Sequence, residues 1–298
     1  MRIDLHTHSL VSDGTQTPTE LVRAAVGAGL DVLAITDHDT AESWTEAEAA
    51  AREVGIGLVL GVEISTKHRG QSVHLLAYLP DPTEPALAES LALIVEGRTD
   101  RAPGMVAALR EHGSAITLEA VRRKSGSGVT GRPHVADVLV ELGEVRNRDE
   151  AFARLLSPGM PGYVTRYAPA LVDSIGIVAG AGGASVVAHP WGRNGSDLLD
   201  DATFADLAAR GLAGIEVDHA DHSPEKRDRL RGIARDLDLV VTGSSDHHGL
   251  GKSLDFFLGA NTTAPEEYER LLARSSLSSE RSGRRTPEVV GGALPFGH

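Results

Sequence analysis

Short apolar runs along this chain end, again and again, in histidine or a carboxylate. Ile3–Leu5 leads into His6 and His8, DVLAIT into Asp37, His38 and Asp39, and LVLGVEIS carries Glu63. SVHLLAYL contains His74, ASVVA leads into His189, GIEV contains Glu216 and leads to His219, and LDLVVT is followed by Asp246, His247 and His248. Apolar runs of this length, separated by amphipathic segments, are the pattern of βα units. About seven or eight parallel strands favour a closed barrel over an open sheet, and a barrel gathers its functional groups at the C-terminal ends of its strands. So many strands delivering metal-ligand types to one rim leave few other folds open to the chain.

The first of these runs shows the local logic. Side chains two apart in a strand share a face, so His6 and His8 point the same way. The loop that follows, SLVSDG, can bring Asp13 back over them. Thr17, Pro18 and Glu20 then read as a helix start: a hydroxyl N-cap, proline at the first position and a capping-box glutamate. Helices are expected to about Gly29, through about Val54, around Ala208 and Leu230, and over Pro265–Ala273. Asp255–Gly259 reads as a final strand. Between Pro82 and Gly182 there is no clear strand and more helix than one crossover needs. The barrel is therefore expected over residues 1–97 and 167–273, with residues 98–166 a helical insertion. The Ser- and Arg-rich residues 274–298 are expected to be a flexible tail.

Composition narrows the chemistry. The 298 residues hold no cysteine, so disulfides, thiolate metal sites and cysteine nucleophiles are excluded. Any metal must be held by His, Asp and Glu, which suits hydrolysis more than redox chemistry. The net charge of −13 argues against gripping long duplex nucleic acid. No run reaches the length of a membrane span, and the polar start is unlike a signal peptide, so a cytoplasmic protein without membrane or obligate protein partners is expected. His68, His112 and His298 read as surface residues. Asp37 and Asp39 read as groups that orient ligands or cap the next helix. Imidazoles and carboxylates exceed what one tetrahedral site uses, so a multinuclear centre is the natural reading.

The segments DLHTHSLVSDG, ITDHDT, GVEIS, VHLLAY, AHPWG and GSSDHHG, in this order, resemble the PHP family, named for polymerase and histidinol phosphatase. The resemblance runs to about residue 270. It implies a distorted TIM-like (βα)7 barrel of the α/β class with a trinuclear metal site. Carried over position by position, the ligands fall on His6, His8, Asp13, His38, Glu63, His74, His189, Asp246 and His248. One metal would take His6, His8, Glu63 and Asp246, a second Glu63, His74 and His189, and a third Asp13, His38 and His248. Two to three divalent ions are thus implied, of a kind the donor types leave open among Mn, Zn and Fe.

A narrower resemblance concerns substrate. GRPHVADVL, within the insertion, and GIEVDHADHSPE are similar to PHP phosphoesterases acting on nucleoside 3′,5′-bisphosphates and short RNA 5′ ends. There the insertion sits over the C-terminal mouth and lends groups to phosphate, which implies Arg132 and His134, with Arg166 and Lys67 as further candidates. His219 and His222 are expected to line the site. Asp218 and His247 stand where this subgroup has tyrosine and an aromatic residue, and Asp218 would add negative charge near the phosphate. The expected chemistry is in-line attack by a metal-bridging hydroxide, with Asp13, Glu63 and Asp246 in the catalytic core. The leaving-group proton would come from a metal-bound water or from His219. The substrate would be a small nucleotide or short oligonucleotide. A histidinol phosphate phosphatase and a non-catalytic nucleotide sensor are the competing expectations, and a polymerase-attached proofreading module finds no room in this length.

Overall fold

The computed structural model describes residues 1–126, 130–192, 198–251 and 254–291. Seven strands form one sheet in sequence order: β1 (Ile3–Asp4), β2 (Val32–Ile35), β3 (Gly57–His68), β4 (Gln71–Tyr78), β5 (Ala184–Val187), β6 (Gly214–Asp218) and β7 (Val240–Gly243). The ends approach each other through a parallel bridge between Thr7 and His247, and His8 N–H donates to the His247 carbonyl at 2.9 Å. The result is a nearly closed α/β barrel.

The strands are not all parallel. β4 runs antiparallel to both β3 and β5. The connection explains this. Only Arg69 and Gly70 separate β3 from β4, both with positive φ (47° and 79°), as in a primed two-residue hairpin turn. Two residues cannot make the crossover that a parallel pair needs. The reversal also places His74, early in β4, at the rim where its parallel neighbours end. His74 pairs in register with Ser65, two residues beyond Glu63 on the same face.

The expected eighth strand, Asp255–Gly259, does not form. A 3₁₀ turn covers Leu254–Phe256, and Gly259 sits at φ 73° with its N–H on the buried Asp4 carboxylate. That segment fastens the barrel from outside the sheet.

Helices α1 (Pro18–Gly27) and α2 (Trp44–Val54) pack between the first strands. The α1 capping box is complete: Thr17 Oγ1 accepts from Glu20 N–H, and Glu20 accepts from Thr17 N–H. The helix α3 (Pro85–Glu111) is 27 residues long and passes unbroken through the expected boundary at residue 98. Beyond it come α4 (Leu118–Ser125), α5 (Arg132–Glu141), α6 (Arg148–Ala151) and a π-helical turn at Phe152–Leu156. Residues of this region build their own apolar core, including Met105, Leu109, Val121, Leu139 and Leu156, separate from the barrel core.

The remaining helices are α7 (Leu171–Gly180), α8 (Asp201–Ala209), α9 (Pro224–Asp236) and α10 (Pro265–Ser282). Helix α10 carries the chain nine residues into the expected flexible tail, because Leu271 and Ser275 are buried on its inner face. Val290 then pairs antiparallel with Leu58. Residues 292–298, with His298, lie outside the described residues.

Candidate active site

The rim is built by strand ends whose backbone is bent to present side chains. Asp39, His189 and Asp246 all have positive φ, at 59°, 29° and 52°. Outside glycine that conformation is uncommon and tends to gather at functional sites. The loop after β1 is equally constrained. A Cβ on Gly14 would stand 2.4 Å from the His8 carbonyl oxygen, so only glycine lets the loop fold back and set Asp13 beside His8. Asp37 fixes the same loop, accepting from Ser9 N–H at 2.8 Å, Ser9 Oγ at 2.7 Å and Ser12 Oγ at 2.5 Å.

Glu63 is the hub. Its Oε1 lies 2.7 Å from His74 Nδ1 and 3.2 Å from His189 Nε2. Its Oε2 lies 3.2 Å from both His6 Nε2 and His8 Nε2, and 3.0 Å from His38 Nδ1. Asp246 Oδ1 is 3.5 Å from His6 Nε2 and 3.4 Å from His8 Nε2. Asp13 Oδ1 is 3.2 Å from His248 Nε2, and its Oδ2 is 3.7 Å from His38 Nε2. All nine residues expected as ligands therefore meet in one basin. Among the described residues, donor atoms converge within 4.8 Å in four groups: His6–His8–Glu63–Asp246, His8–Asp13–His38–His248, His38–Glu63–His74 and His6–His189–Glu216. The first group coincides with the first set implied above. The others differ from the implied sets: His8 joins the Asp13 group, His38 stands in for His189 beside Glu63 and His74, and His189 converges instead with His6 and Glu216.

These contacts fit cations. Two imidazole nitrogens, His6 Nε2 and His8 Nε2, face each other at 3.0 Å across two carboxylate oxygens. His8 Nδ1, Asp13 Oδ1 and His38 Nδ1 are buried and make no hydrogen bond of proper geometry. Buried polar atoms are normally satisfied, and a divalent ion satisfies such atoms by coordination. Without one, protons must do so. Burial opposes charge on His8, but Asp246 and Glu63 outweigh it and raise the imidazole to about 9. Burial also opposes ionisation of Glu63 and Asp13, yet the surrounding histidines hold both carboxyls well below their usual range.

A second layer aims these donors. His6 Nδ1–H donates to Glu216 Oε1 at 3.0 Å, which turns His6 Nε2 inward. Glu216 Oε2 also accepts from His189 N–H at 2.8 Å. His248 Nδ1–H donates to the Asp246 carbonyl at 2.9 Å, leaving Nε2 for Asp13. Sequence reasoning noted Glu216 at a strand end without giving it a role; the signal was its place two residues from the end of β6.

Several expected site residues do other work. His219 Nδ1 accepts from Asp221 N–H, so its Nε2–H donates to Asp246 Oδ2 at 3.3 Å. Fully buried, His219 steadies a carboxylate and is not placed to protonate a leaving group. Both nitrogens of His222 are taken by backbone: Nδ1–H donates to Val217 C=O at 2.8 Å, and Nε2 accepts from Trp191 N–H at 3.2 Å. It holds two rim loops together and does not face the cavity. His134 Nδ1 accepts from Gly131 N–H at 3.0 Å and caps α5. Lys67 Nζ donates to the Arg166 carbonyl at 2.8 Å, tying the returning chain to β3. Asp218 pairs with Arg231 and Arg227 on α9, so its charge is spent outside the basin. His247 spans Phe256 C=O and Gln16 Oε1.

Above the basin lies a roof of arginines. One cavity, with about 750 Å³ of empty space including its open mouth, is lined below by Asp13, Glu63, His189 and Asp246 and above by Arg98, Arg101, Arg132, Arg148 and Arg166. Arg132 lies over the Phe152 ring at 5.3 Å, and Arg166 N–H donates to the Tyr167 carbonyl at 3.0 Å. Arg98 Nε reaches Asp39 Oδ2 at 2.7 Å, and Arg148 grips both oxygens of Asp137 at 2.6 and 2.7 Å. Sequence reasoning missed Arg98, Arg101 and Arg148. A signal existed for two of them. Leu87, Leu91, Ile94, Arg98, Arg101 and Met105 follow one another at intervals of four and three, so both arginines stand on the buried stripe of α3.

The comparisons with known proteins agree with this arrangement. A profile described as the PHP domain matches residues 4–124. A 3′,5′-nucleoside bisphosphate phosphatase of Chromobacterium violaceum is 38% identical over 251 residues, 84% of this chain and 88% of that protein. The chain belongs to the PHP family. A 5′-3′ exoribonuclease of Haemophilus influenzae is 35% identical over 85% of this chain and 94% of its own length. The crystal structure of a protein provisionally described as a metal-dependent phosphoesterase, from Bifidobacterium adolescentis, superimposes with a TM-score of 0.86. It is 39% identical and covers 91% of this chain and 96% of its own. The PHP profile stops within α4, so His189, Asp246 and His248, expected as ligands, are brought to the basin by the barrel itself.

Proposed function

We propose that this PHP protein is a metal-dependent phosphoesterase that hydrolyses phosphate esters of small nucleotides, either a nucleoside 3′,5′-bisphosphate or the 5′ end of a short RNA. The observation that carries the reading is one cavity with a ligand-rich floor and a guanidinium roof. The named activities of the Chromobacterium and Haemophilus relatives support it. Divalent cations, two or three of Mn, Zn or Fe type, would lower the pKa of an attacking water toward neutrality and offset charge on the phosphoryl oxygens.

The chain's own groups supply the rest. His6, His8, Asp13, His38, Glu63, His74, His189, Asp246 and His248 would hold the cations. Arg132 and Arg166 meet phosphoryl oxygens, for which a planar guanidinium offers two-point binding. Arg132 is pre-set for this by its ring contact with Phe152 and its donation to the Leu156 carbonyl at 3.3 Å. Fixed donors aimed at developing charge are among the strongest contributors to catalysis. His219 and Glu216 keep Asp246 and His6 in place. No described helix is long and apolar enough to cross a membrane; with nucleotides as substrates, a cytoplasmic setting fits.

The deciding experiment measures phosphate and nucleotide release by Mn-loaded protein from adenosine 3′,5′-bisphosphate and from a 5′-phosphorylated short RNA. Asp13→Ala is expected to abolish turnover and Arg132→Ala to cripple it. A metal-replete wild type that releases nothing from either substrate would overturn the reading.

A further inference from the structure

The DLHTHS stretch opens with a carboxylate that the basin does not use. Asp4 is fully buried, two residues before His6. Backbone donors answer it. Its Oδ1 accepts from Ser245 N–H at 3.0 Å, with His6 N–H 3.5 Å from the same oxygen, and its Oδ2 accepts from Gly259 N–H at 2.8 Å. These contacts lie along the seam of the barrel, between β1 and β7, the two ends of the seven-stranded sheet. Lower on the seam, Thr263 fills the gap: its N–H donates to Ile3 C=O at 2.9 Å and its Oγ1 accepts from Gly243 N–H at 3.0 Å. Higher up, His8 N–H donates to His247 C=O at 2.9 Å. Asp4 bridges the level between. Asp246 therefore sits between two anchors, Ser245 on the Asp4 carboxylate and His247 on His8 N–H. Its own φ of 52° is uncommon outside glycine and persists only where the surroundings hold it. The choice of a carboxylate is informative. Burying that charge is costly. Asparagine has the same shape and avoids the cost, but one of its two ends is a donor and would face an N–H. The carboxylate accepts on both sides, and its charge strengthens both bonds.

We infer that Asp4 is a positioning residue for the proposed reaction. It stands in for a strand pair at the seam, fixes the Ser245 peptide, and so sets the Asp246 carboxylate against His6 and His8. Asp246 Oδ1 is thereby kept 3.5 Å from His6 Nε2 and 3.4 Å from His8 Nε2. One oxygen of Asp4 faces both the Ser245 and the His6 amides, so it ties the carboxylate side of that group to the imidazole side. The inference rests on the proposed function, because a cation is what His6, His8, Glu63 and Asp246 would hold. It gives the seam two separate tasks: Thr263 closes the barrel, and Asp4 aligns the closure with the basin.

The test compares Asp4→Asn with Thr263→Val in the full chain. Each removes a seam hydrogen bond, but only the first touches the peptide before Asp246. Three quantities are read without turnover: the melting temperature of metal-free protein, Mn affinity by competition with a chelator, and the visible absorption of Co-loaded protein, whose bands report ligand geometry. Both variants are expected to melt lower than wild type. Asp4→Asn alone is expected to weaken Mn binding by roughly 10–100-fold, as loss of a group behind a metal ligand does, and to shift the cobalt bands. With adenosine 3′,5′-bisphosphate its kcat should fall while KM stays near the wild-type value. Asp4→Ser leaves room for a bridging water and covers the case in which the buried carboxamide does not fold; it should show the same metal defect. If the Asp4 variants melt lower with unchanged Mn affinity and cobalt bands, the inference is overturned and Asp4 is a fastening only. Equal band shifts in Thr263→Val overturn it as well, since the effect would then belong to the whole seam. If wild type loads metal and cleaves neither substrate of the proposed function, yet Asp4→Asn still shifts the bands, the phosphoesterase reading fails and the role of Asp4 stands. A wild type that binds neither ion overturns both.

Discussion

At the scale of single residues, Glu63 and His222 show how alike two buried groups can look in a sequence and how differently they behave. Glu63 touches five histidines through its two oxygens. Glu63→Gln keeps the shape but removes the charge that cations and imidazoles share. Loss of even an outer partner of a metal ligand costs roughly 10–100-fold, so turnover should fall by more than about 100-fold. Bound metal per chain, measured on the same sample, should fall with it; full metal content with normal turnover would remove Glu63 from the hub. His222 serves folding instead. Burial, with the nearby charges of His219 and His189, pulls it from 6.5 to about 4, against the favourable Val217 hydrogen bond. The unfolded chain therefore takes up a proton between about pH 6.5 and pH 4 that the folded chain refuses. Stability conferred by neutral His222 is intact above 6.5 and lost as pH falls toward 4, by up to about 3 kcal/mol. Urea unfolding at pH 7 and pH 4.5 should show the gap between wild type and His222→Asn narrowing at the lower pH. A constant gap would mean that His222 does not titrate as its two backbone contacts imply.

At the scale of elements, the strand ends were legible because βα units repeat and their ligand types break an apolar pattern. The reversal of β4 was written in the HRGQ turn, where Arg69 and Gly70 leave no length for a crossover, but an apolar run alone carries no direction. Asp255–Gly259 has the composition of a strand and no edge to pair with, since Thr7 already meets His247 there. The roof was harder to read. Arg98 and Arg101 look like solvated helix arginines until α3 is seen to cross from barrel to cap, and His222 looks like a ligand until both nitrogens are found on backbone. The loop after β1 allows a prediction at this scale. Gly14→Ala would push a Cβ against backbone of His8 and Ser9, at 2.4 to 2.9 Å, and backbone cannot yield as a side chain can. The loop must shift, taking Asp13 from His248 and His38. Bound metal is expected to drop by about one ion per chain with little change in far-ultraviolet circular dichroism. Undiminished metal content would show that the loop absorbs the methyl group without moving Asp13.

At the scale of the whole molecule, the histidine–carboxylate basin and the cap answer to different forces. The barrel and cap cores share no buried apolar residue. They are joined by polar fastenings: Arg98 to Asp39, Lys67 to the Arg166 carbonyl, and Arg148 to the Asp13 carbonyl at 3.3 Å. Two of the three end on the loops that carry Asp13 and His38, so the grip on the cap depends on how firmly those loops are held. Cations bound at a hundred times their dissociation constant would stabilise the barrel by about 2.7 kcal/mol. Chelation should therefore lower the melting temperature by roughly 5–10 °C. Hydrogen exchange would locate the effect. Amides around residues 9–14 and 246–248 are expected to lose protection first. The interior of α5, packed within the cap's own core, should keep its protection. If α5 opens together with the rim, the fastenings transmit the loss, and barrel and cap form one cooperative unit. If chelation shifts neither melting nor exchange, the nine basin residues are held in place by their own hydrogen bonds, and the case for cations in the basin falls.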